Sequence, residues 1–181
     1  PDCFDLVVVD APCSGEGMYR KNDLAISEWS PENVTMCAAR QREILDNTAR
    51  TVAPGGYLLY STCTYSTEEN EEMVAYILEK YPEFRLVPCA EEVATHTADG
   101  VGDLTLCRRF YPHLCRGEGQ FVALLKRDDG DCFGNLVAKS RRIDGYIINV
   151  CSLHSLIDSH PCIITVCCEL VRLYAILCFV C

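Results

Sequence analysis

Positive charge is scarce in this chain: 16 Lys and Arg stand against 26 Asp and Glu, for a net charge of −10. That balance argues against a broad nucleic-acid-binding face, which is ordinarily basic, although a local basic patch remains compatible with it. The four histidines, His96, His113, His154 and His160, share no spacing that would mark a catalytic or ligand set. Before Arg127 there is no Cys-x-x-Cys pair, so that part of the chain lacks zinc-ligand spacing and we expect no metal. A basic leader followed by an apolar stretch is also missing, so the opening residues do not read as a secretory signal. The chain opens on Pro1 almost inside a predicted strand, and on that ground it is expected to be a fragment of a longer protein.

Cysteine, by contrast, is abundant, with 14 in 181 residues. Secreted disulfide scaffolds are usually shorter, loop-rich and regularly spaced. Here strand-like and helix-like stretches alternate up to Arg127, and we expect free thiols in a reducing, cytoplasmic setting. Hydrophobic content of 49% and charged content of 23% suit one ordinary globular domain.

Phe4–Val9 reads FDLVVV, a continuous β-branched run expected to form a strand buried on both faces. Asp10-Ala-Pro-Cys-Ser-Gly-Glu-Gly follows as a loop. Ser30 as N-cap and Pro31 at the first helical position predict a helix reaching about Val52. Met36, Ala39, Ile44, Leu45 and Thr48 are expected on its inner face, and Pro54-Gly55-Gly56 as its stop. A second buried strand spans Tyr57–Tyr60 and finishes at Ser61-Thr62-Cys63. Ser66 and Glu69 fit a capping box, predicting a helix over Thr67–Lys80. Phe84–Val87, Leu104–Tyr111 and Gln120–Lys126 read as strands, with loop between Cys89 and Asp103. The order predicts an α/β sheet of doubly wound type closed by an antiparallel strand pair.

From Asp128 the character changes: residues 128–181 form a Cys-rich, apolar tail with seven of the fourteen cysteines. Ile163–Cys181 is nearly long enough to span a bilayer, but Glu169 and Arg172 interrupt it, so a membrane anchor is not favoured. A buried C-terminal element is a second reading. The abrupt shift in composition favours a third, an out-of-frame or read-through segment.

The chemistry gathers at strand ends. Asp10, Cys13 and Cys63 all fall beyond strand carboxyl ends, where open α/β sheets bind ligands. Cys63 lies three residues before the Ser66 cap, so a helix dipole is expected to lower its pKa. A cysteine at a strand end is also an ordinary core residue, and an aspartate there can simply bond turn amides. By residue type both readings stand, as does a Cys-rich, metal-binding or membrane-anchored non-enzymatic protein.

The wider context adds a resemblance. "DAPCSGEGMYRKN", Trp29, "CAARQREILDNTARTVAPGGYLLYSTCTYSTEENEEMV" and "GEGQFVALLKR" resemble the Sun/Fmu (NSUN-type) family of RNA cytosine-5 methyltransferases, in its RsmF-like ribosomal RNA branch. The likeness covers about Phe4–Arg127. It implies that residues 1–127 are the C-terminal part of a Rossmann-like catalytic domain that uses S-adenosylmethionine to methylate carbon-5 of cytosine in RNA, small-subunit ribosomal RNA in that branch. It implies Cys63 as nucleophile and Cys13 as the thiol assisting release. Asp10 matches the aspartate at the cofactor and target-base site, Pro12 would shape the base pocket, and Arg20 and Lys21 match a basic pair that meets RNA. The family's glycine-rich cofactor loop finds no match here, so this chain alone is expected to bind S-adenosylmethionine weakly and to be inactive.

Overall fold

The β-branched run at the start does what its composition suggests: β1 (Phe4–Asp10) is a strand, and it pairs in parallel with β2 (Val52–Thr62). The computed structural model describes residue 2 and residues 4–128; the readings made for the tail at 129–181 lie outside the described residues. The register sets Val7 opposite Leu58, Val9 opposite Tyr60 and Asp10 opposite Ser61. Val7 and Val9 are fully buried, whereas Leu6 is 36% exposed. The expectation of burial on both faces is therefore corrected. Among the described residues β1 ends the sheet, and the side carrying Leu6 is left partly uncovered.

Pro54-Gly55-Gly56 is not the helix stop it was expected to be. The helix α2 (Pro31–Ala49) ends earlier, and the Pro-Gly-Gly segment makes a bulge inside β2. Phe4 pairs with Val52 and Leu6 with Tyr57, so the extra residues must loop out between them. Gly55, at φ 77°, takes the left-handed conformation the bulge needs. The α2 start is as read, with Asn33 N–H donating to Ser30 Oγ at 3.1 Å. Its inner face differs: Val34, Ala38, Gln41, Leu45, Thr48 and Ala49 are buried, while Met36 and Ala39 are exposed. The true stripe runs through polar Gln41, which a reading by hydrophobicity treats as a break.

β6 (Gln120–Arg127) lies antiparallel between β2 and a composite edge. On that edge β5 (Arg108–Phe110) pairs with its first half and β3 (Phe84–Val87) with its second. The strand expected over Leu104–Tyr111 is thus shortened to β5. The expected loop at 89–103 contains α4 (Glu91–Thr95) and β4 (Ala98–Asp99), which forms a hairpin with β5. A short helix, α1 (Asp23–Glu28), was also not anticipated; Asn22 caps it by accepting from Leu24 N–H at 3.1 Å.

α3 (Glu71–Lys80) begins four residues later than the capping-box reading. Ser66 bonds Glu68 instead, and Asn70 stands at the helix start. The core lies between the sheet and helices α2 and α3: Val7, Val9, Leu45, Leu58, Tyr60, Met73, Ile77, Phe121 and Leu125 form one buried cluster. Tyr60 meets Phe121 edge to face at 6.3 Å, a pairing worth about 0.5–1.5 kcal/mol beyond area burial. Among the described residues no helix is long and apolar enough to cross a membrane.

One ion pair ties α3 to β5 inside the protein. Arg109 and Glu71 side chains are 4% and 7% exposed, and Arg109 Nε donates to Glu71 Oε1 at 2.7 Å. Arg109 Nη1 also donates to the carbonyl of Tyr65, so the pair braces the loop after β2. Removing one partner strands a buried charge. Glu71→Ala is expected to cost about 3–5 kcal/mol in urea unfolding of the full chain, and a loss below about 1 kcal/mol would refute the bracing role.

Candidate functional site

The two strands end side by side. Asp10 pairs with Ser61, and Ala11 N–H adds one more bond to the Ser61 carbonyl at 2.9 Å. The loops that leave these strands must therefore start adjacent. They bring Cys13 Sγ within 3.0 Å of Cys63 Sγ. That is a hydrogen-bonding contact rather than a disulfide, whose sulfurs lie about 2.05 Å apart, and both cysteines are free and half-buried. The Cys63 backbone N–H donates to Cys13 Sγ at 3.2 Å.

The two thiols differ in acidity. Donation from Cys13 S–H holds the Cys63 pKa below the usual thiol value, against burial and the nearby Asp10 carboxylate. The same contact, together with burial, pushes Cys13 well above it. Donation in that direction favours the thiolate on Cys63, while the Cys63 N–H acts the other way on Cys13. The expected helix dipole is not the cause, because α3 starts only at Glu71. Burial raises Asp10, partly offset by the Ser61 hydroxyl, which donates to its Oδ1 at 3.0 Å.

Behind the thiols lies a layer that hydrophobic patterning did not reveal. Glu69, read from sequence as a capping residue, is instead wholly buried beneath both loops. Its Oε2 accepts from Ser14 N–H and from Gln41 Nε2, each at 3.0 Å. Gln41 Nε2 also reaches the Pro12 carbonyl at 2.9 Å, which fixes the loop just before Cys13. Ser14 Oγ contacts Glu69 Oε1 and lies 2.9 Å from Thr64 Oγ1. Glu16 completes the layer, accepting from Thr64 Oγ1 at 3.0 Å and from Tyr65 N–H at 2.9 Å. Asn70 Nδ2 donates to the Thr64 carbonyl at 3.0 Å.

The structure thus gathers Asp10, Pro12, Cys13 and Cys63 at one place. Arg20 and Lys21 stay exposed on the turn after a 3-10 helix at Glu16–Met18. Arg20 is close enough to Tyr65 to act on its ionisation. Gly17 makes the interlock sterically feasible. Its N–H donates to the Cys63 carbonyl at 2.9 Å, and its carbonyl accepts from Gly119 N–H at 3.1 Å. A Cβ there would stand 2.2 Å from Gly119 O and 2.8 Å from Cys63 O.

The sequence profile described as 16S rRNA methyltransferase RsmB/F matches residues 2–126. The chain is 39% identical over 131 residues to the ribosomal RNA small subunit methyltransferase F of Klebsiella pneumoniae, and 41% identical over 134 residues to that of Escherichia coli O9:H4. Each match covers 70% of this chain but 26% of the relative, so the chain spans about a quarter of the length of these curated proteins. Among solved structures, NSun6 from Pyrococcus horikoshii with SFG is similar at a TM-score of 0.56 and 30% identity, over 66% of this chain and 29% of that one. A methyltransferase homologue from the same organism gives a TM-score of 0.56 at 26% identity, over 69% of this chain and 39% of its own.

Two outcomes test the geometry. Below both thiol pKa values, alkylation rate follows the thiolate fraction, so a raised pKa slows it. Cys13→Ala removes the donor to Cys63 and is expected to slow iodoacetamide labelling of Cys63 about tenfold at neutral pH. An unchanged pH profile of Cys63 labelling would disprove the coupling. Gly17→Ala meets backbone oxygens on two sides and is expected to cost about 1–3 kcal/mol in denaturant titration; wild-type stability would show that the loops yield freely.

Proposed function

Because the chain belongs to the 16S rRNA methyltransferase RsmB/F family, we propose that its two-thiol crevice carries the covalent half of cytosine-5 methylation in small-subunit ribosomal RNA. The fold agrees with that of Rossmann-like methyltransferases in the NSUN-type group. The observation that carries the reading is the pair of free thiols, Cys13 and Cys63, brought to 3.0 Å at the ends of adjacent strands.

Carbon-5 of cytosine is too poor a nucleophile to take a methyl group directly. Cys63 Sγ adds to carbon-6, forming a C–S bond and moving electron density to carbon-5. One difficult step becomes two easier ones. S-adenosylmethionine, when bound, supplies the methyl group. The residues present fit one edge of such a site: the Asp10 carboxylate stands at the end of β1, steadied by Ser61, where α/β crevices take their ligands. Asp10 is suited to hold an amino or hydroxyl donor of cofactor or base. Pro12 shapes the floor beside Cys13, fixed through its carbonyl by Gln41.

After methyl transfer water takes the carbon-5 proton, the C–H electron pair restores the carbon-5–carbon-6 double bond, and the C–S bond breaks with its pair returning to Cys63 Sγ. The Cys13 S–H that eased formation of the thiolate also stabilises it as a leaving group, since lower-pKa thiols depart faster. This gives Cys13 its role in release. Arg20 and Lys21, exposed at the rim, would contact RNA phosphate, contacts that position rather than specify. The target base must leave its stack to enter.

The test grafts residues 2–126 in place of the matching segment of the Klebsiella pneumoniae relative. The chimera is expected to form 5-methylcytosine in small-subunit ribosomal RNA. Cys63→Ala should lower that activity by about a thousandfold or more. Cys13→Ala should instead accumulate a covalent protein–RNA adduct that runs as a shifted band on a denaturing gel. A folded chimera with an intact Cys63 thiolate and no methylation would overturn the reading, and an adduct on Cys13 would reverse the roles.

A further inference from the structure

Three oxygen–oxygen contacts run in series beneath the thiol loops. Glu69 Oε1 meets Ser14 Oγ, Ser14 Oγ lies 2.9 Å from Thr64 Oγ1, and Thr64 Oγ1 lies 3.0 Å from Glu16 Oε2. Each contact needs a hydrogen between its oxygens. Ser14 and Thr64 have one hydroxyl hydrogen apiece, and an ionised carboxylate has none. Three contacts therefore share two hydrogens if both acids are charged. One contact would then press bare lone pairs together in a buried place, where an unmade bond is most costly.

Nearby N–H groups do not fill the gap. Ser14 N and Gln41 Nε2 are engaged at Glu69 Oε2, and Tyr65 N donates to Glu16 Oε2. Ser66 N approaches Thr64 Oγ1 at 3.3 Å, as a donor to an oxygen that still needs its other partners. Nor does a cation pair with Glu69, although Arg20 acts on Tyr65 at the Glu16 end of the chain. The titratable groups that act on Glu69 or feel its charge are Glu16 from the 3-10 helix, Cys13 from its loop, Cys37 from α2, Tyr60 from β2 and Cys63 from the loop after it. All of these are acids, and among the described residues no Lys, Arg or His forms an ion pair with Glu69.

We propose that Glu69 holds, at neutral pH, the proton that supplies the missing hydrogen of the Ser14–Thr64 chain, and that this chain makes Glu69 a positioning residue for Cys63. Ser14 follows Cys13 and Thr64 follows Cys63, so the middle contact is the bridge between the two thiol loops. With the third hydrogen in place, Glu69 donates to Ser14, Ser14 to Thr64, and Thr64 to Glu16. Every oxygen is satisfied and the sulfurs stay in contact. Lose that proton and one of the three contacts fails. Burial, which raises Glu69 above the ordinary carboxylate value, acts in the same sense. The sign follows: a raised acid contributes stability that is full below its unfolded value and fades as pH rises through the folded one. The positioning role rests on the methyl-transfer reading; the Glu69 proton does not.

Three measurements on the full chain test it without RNA or S-adenosylmethionine, so their failure is separate from failure of the proposed activity. Infrared spectra at neutral pH are expected to show a carboxylic-acid carbonyl band that shifts in heavy water and disappears in Glu69→Gln. The Gln side chain replaces that hydrogen with an amide N–H, so Glu69→Gln should keep the wild-type pH profile of Cys63 alkylation. Glu69→Ala and the isosteric Thr64→Val should both move that profile upward, slowing labelling about tenfold at neutral pH. Thr64→Val decides the matter if Glu69→Ala does not fold. Absence of the acid band overturns the Glu69 proton. A Cys63 profile unmoved by Thr64→Val overturns the positioning role, whatever that variant does to stability.

Discussion

The parallel pairing of β1 with β2 is the constraint on which the site depends. It brings Asp10 opposite Ser61 and releases two loops from adjacent strand ends. Each loop carries its cysteine a few residues on, and the sulfurs meet at 3.0 Å. A one-residue slip would turn every side chain of β1 to the opposite face and take Val7 and Val9 out of the core. The bulge at Pro54-Gly55-Gly56 absorbs the extra length of β2 before the paired stretch begins, so the register is right where it matters.

On the proposed reading, this acidic chain makes a thiolate at Cys63 chiefly by hydrogen bonding. Burial opposes ionisation of Cys63, and the charge of Asp10 opposes it too. Hydrogen bonding is what remains, and the second thiol supplies it. The arrangement separates two thiols of the same intrinsic chemistry into a donor and an acceptor. A lysine or arginine in the same place would stabilise the thiolate as well, but with a long-range field. A neutral donor gives the local effect without a long-range field, consistent with cations kept at the rim, on Arg20 and Lys21.

The parts of this structure that follow from period and punctuation were legible in the sequence. The β-branched run of β1, the Ser30-Pro31 start of α2 and the closing strand β6 all stand where their patterns place them. The two cysteines were legible as a pair because both follow such strands. What was hidden is polar and buried. Gln41 interrupts a hydrophobic stripe yet belongs to it, since its amide bonds both Pro12 and Glu69. Glu69 has the spacing of a helix cap, and no local pattern separates a cap from an acid that faces inward to a loop 55 residues away. The late start of α3 has the same origin. Residues 67–70 serve the site before the helix begins: Asn70 holds Thr62 and Thr64, and Glu69 holds Ser14.

A nucleophile that must later leave sets a conflict, since whatever makes it attack well tends to hold the adduct. In the proposed reaction the contact between Cys13 and Cys63 would ease that conflict, because it acts on the free thiolate at both ends. It lowers the cost of forming the thiolate before addition and of regenerating it at elimination, while the neutral adduct between them draws least from it. Such an effect is small per bond and sensitive to distance, which is why the loops need a rigid underlayer. Gly17 lets the Pro-Cys loop lie directly on the Cys63 carbonyl, where a Cβ would force the chains apart. Glu69 and Gln41 then fix the same loop from below through Pro12 and Ser14. Held on two sides, the sulfurs can keep a separation that neither loop would maintain alone.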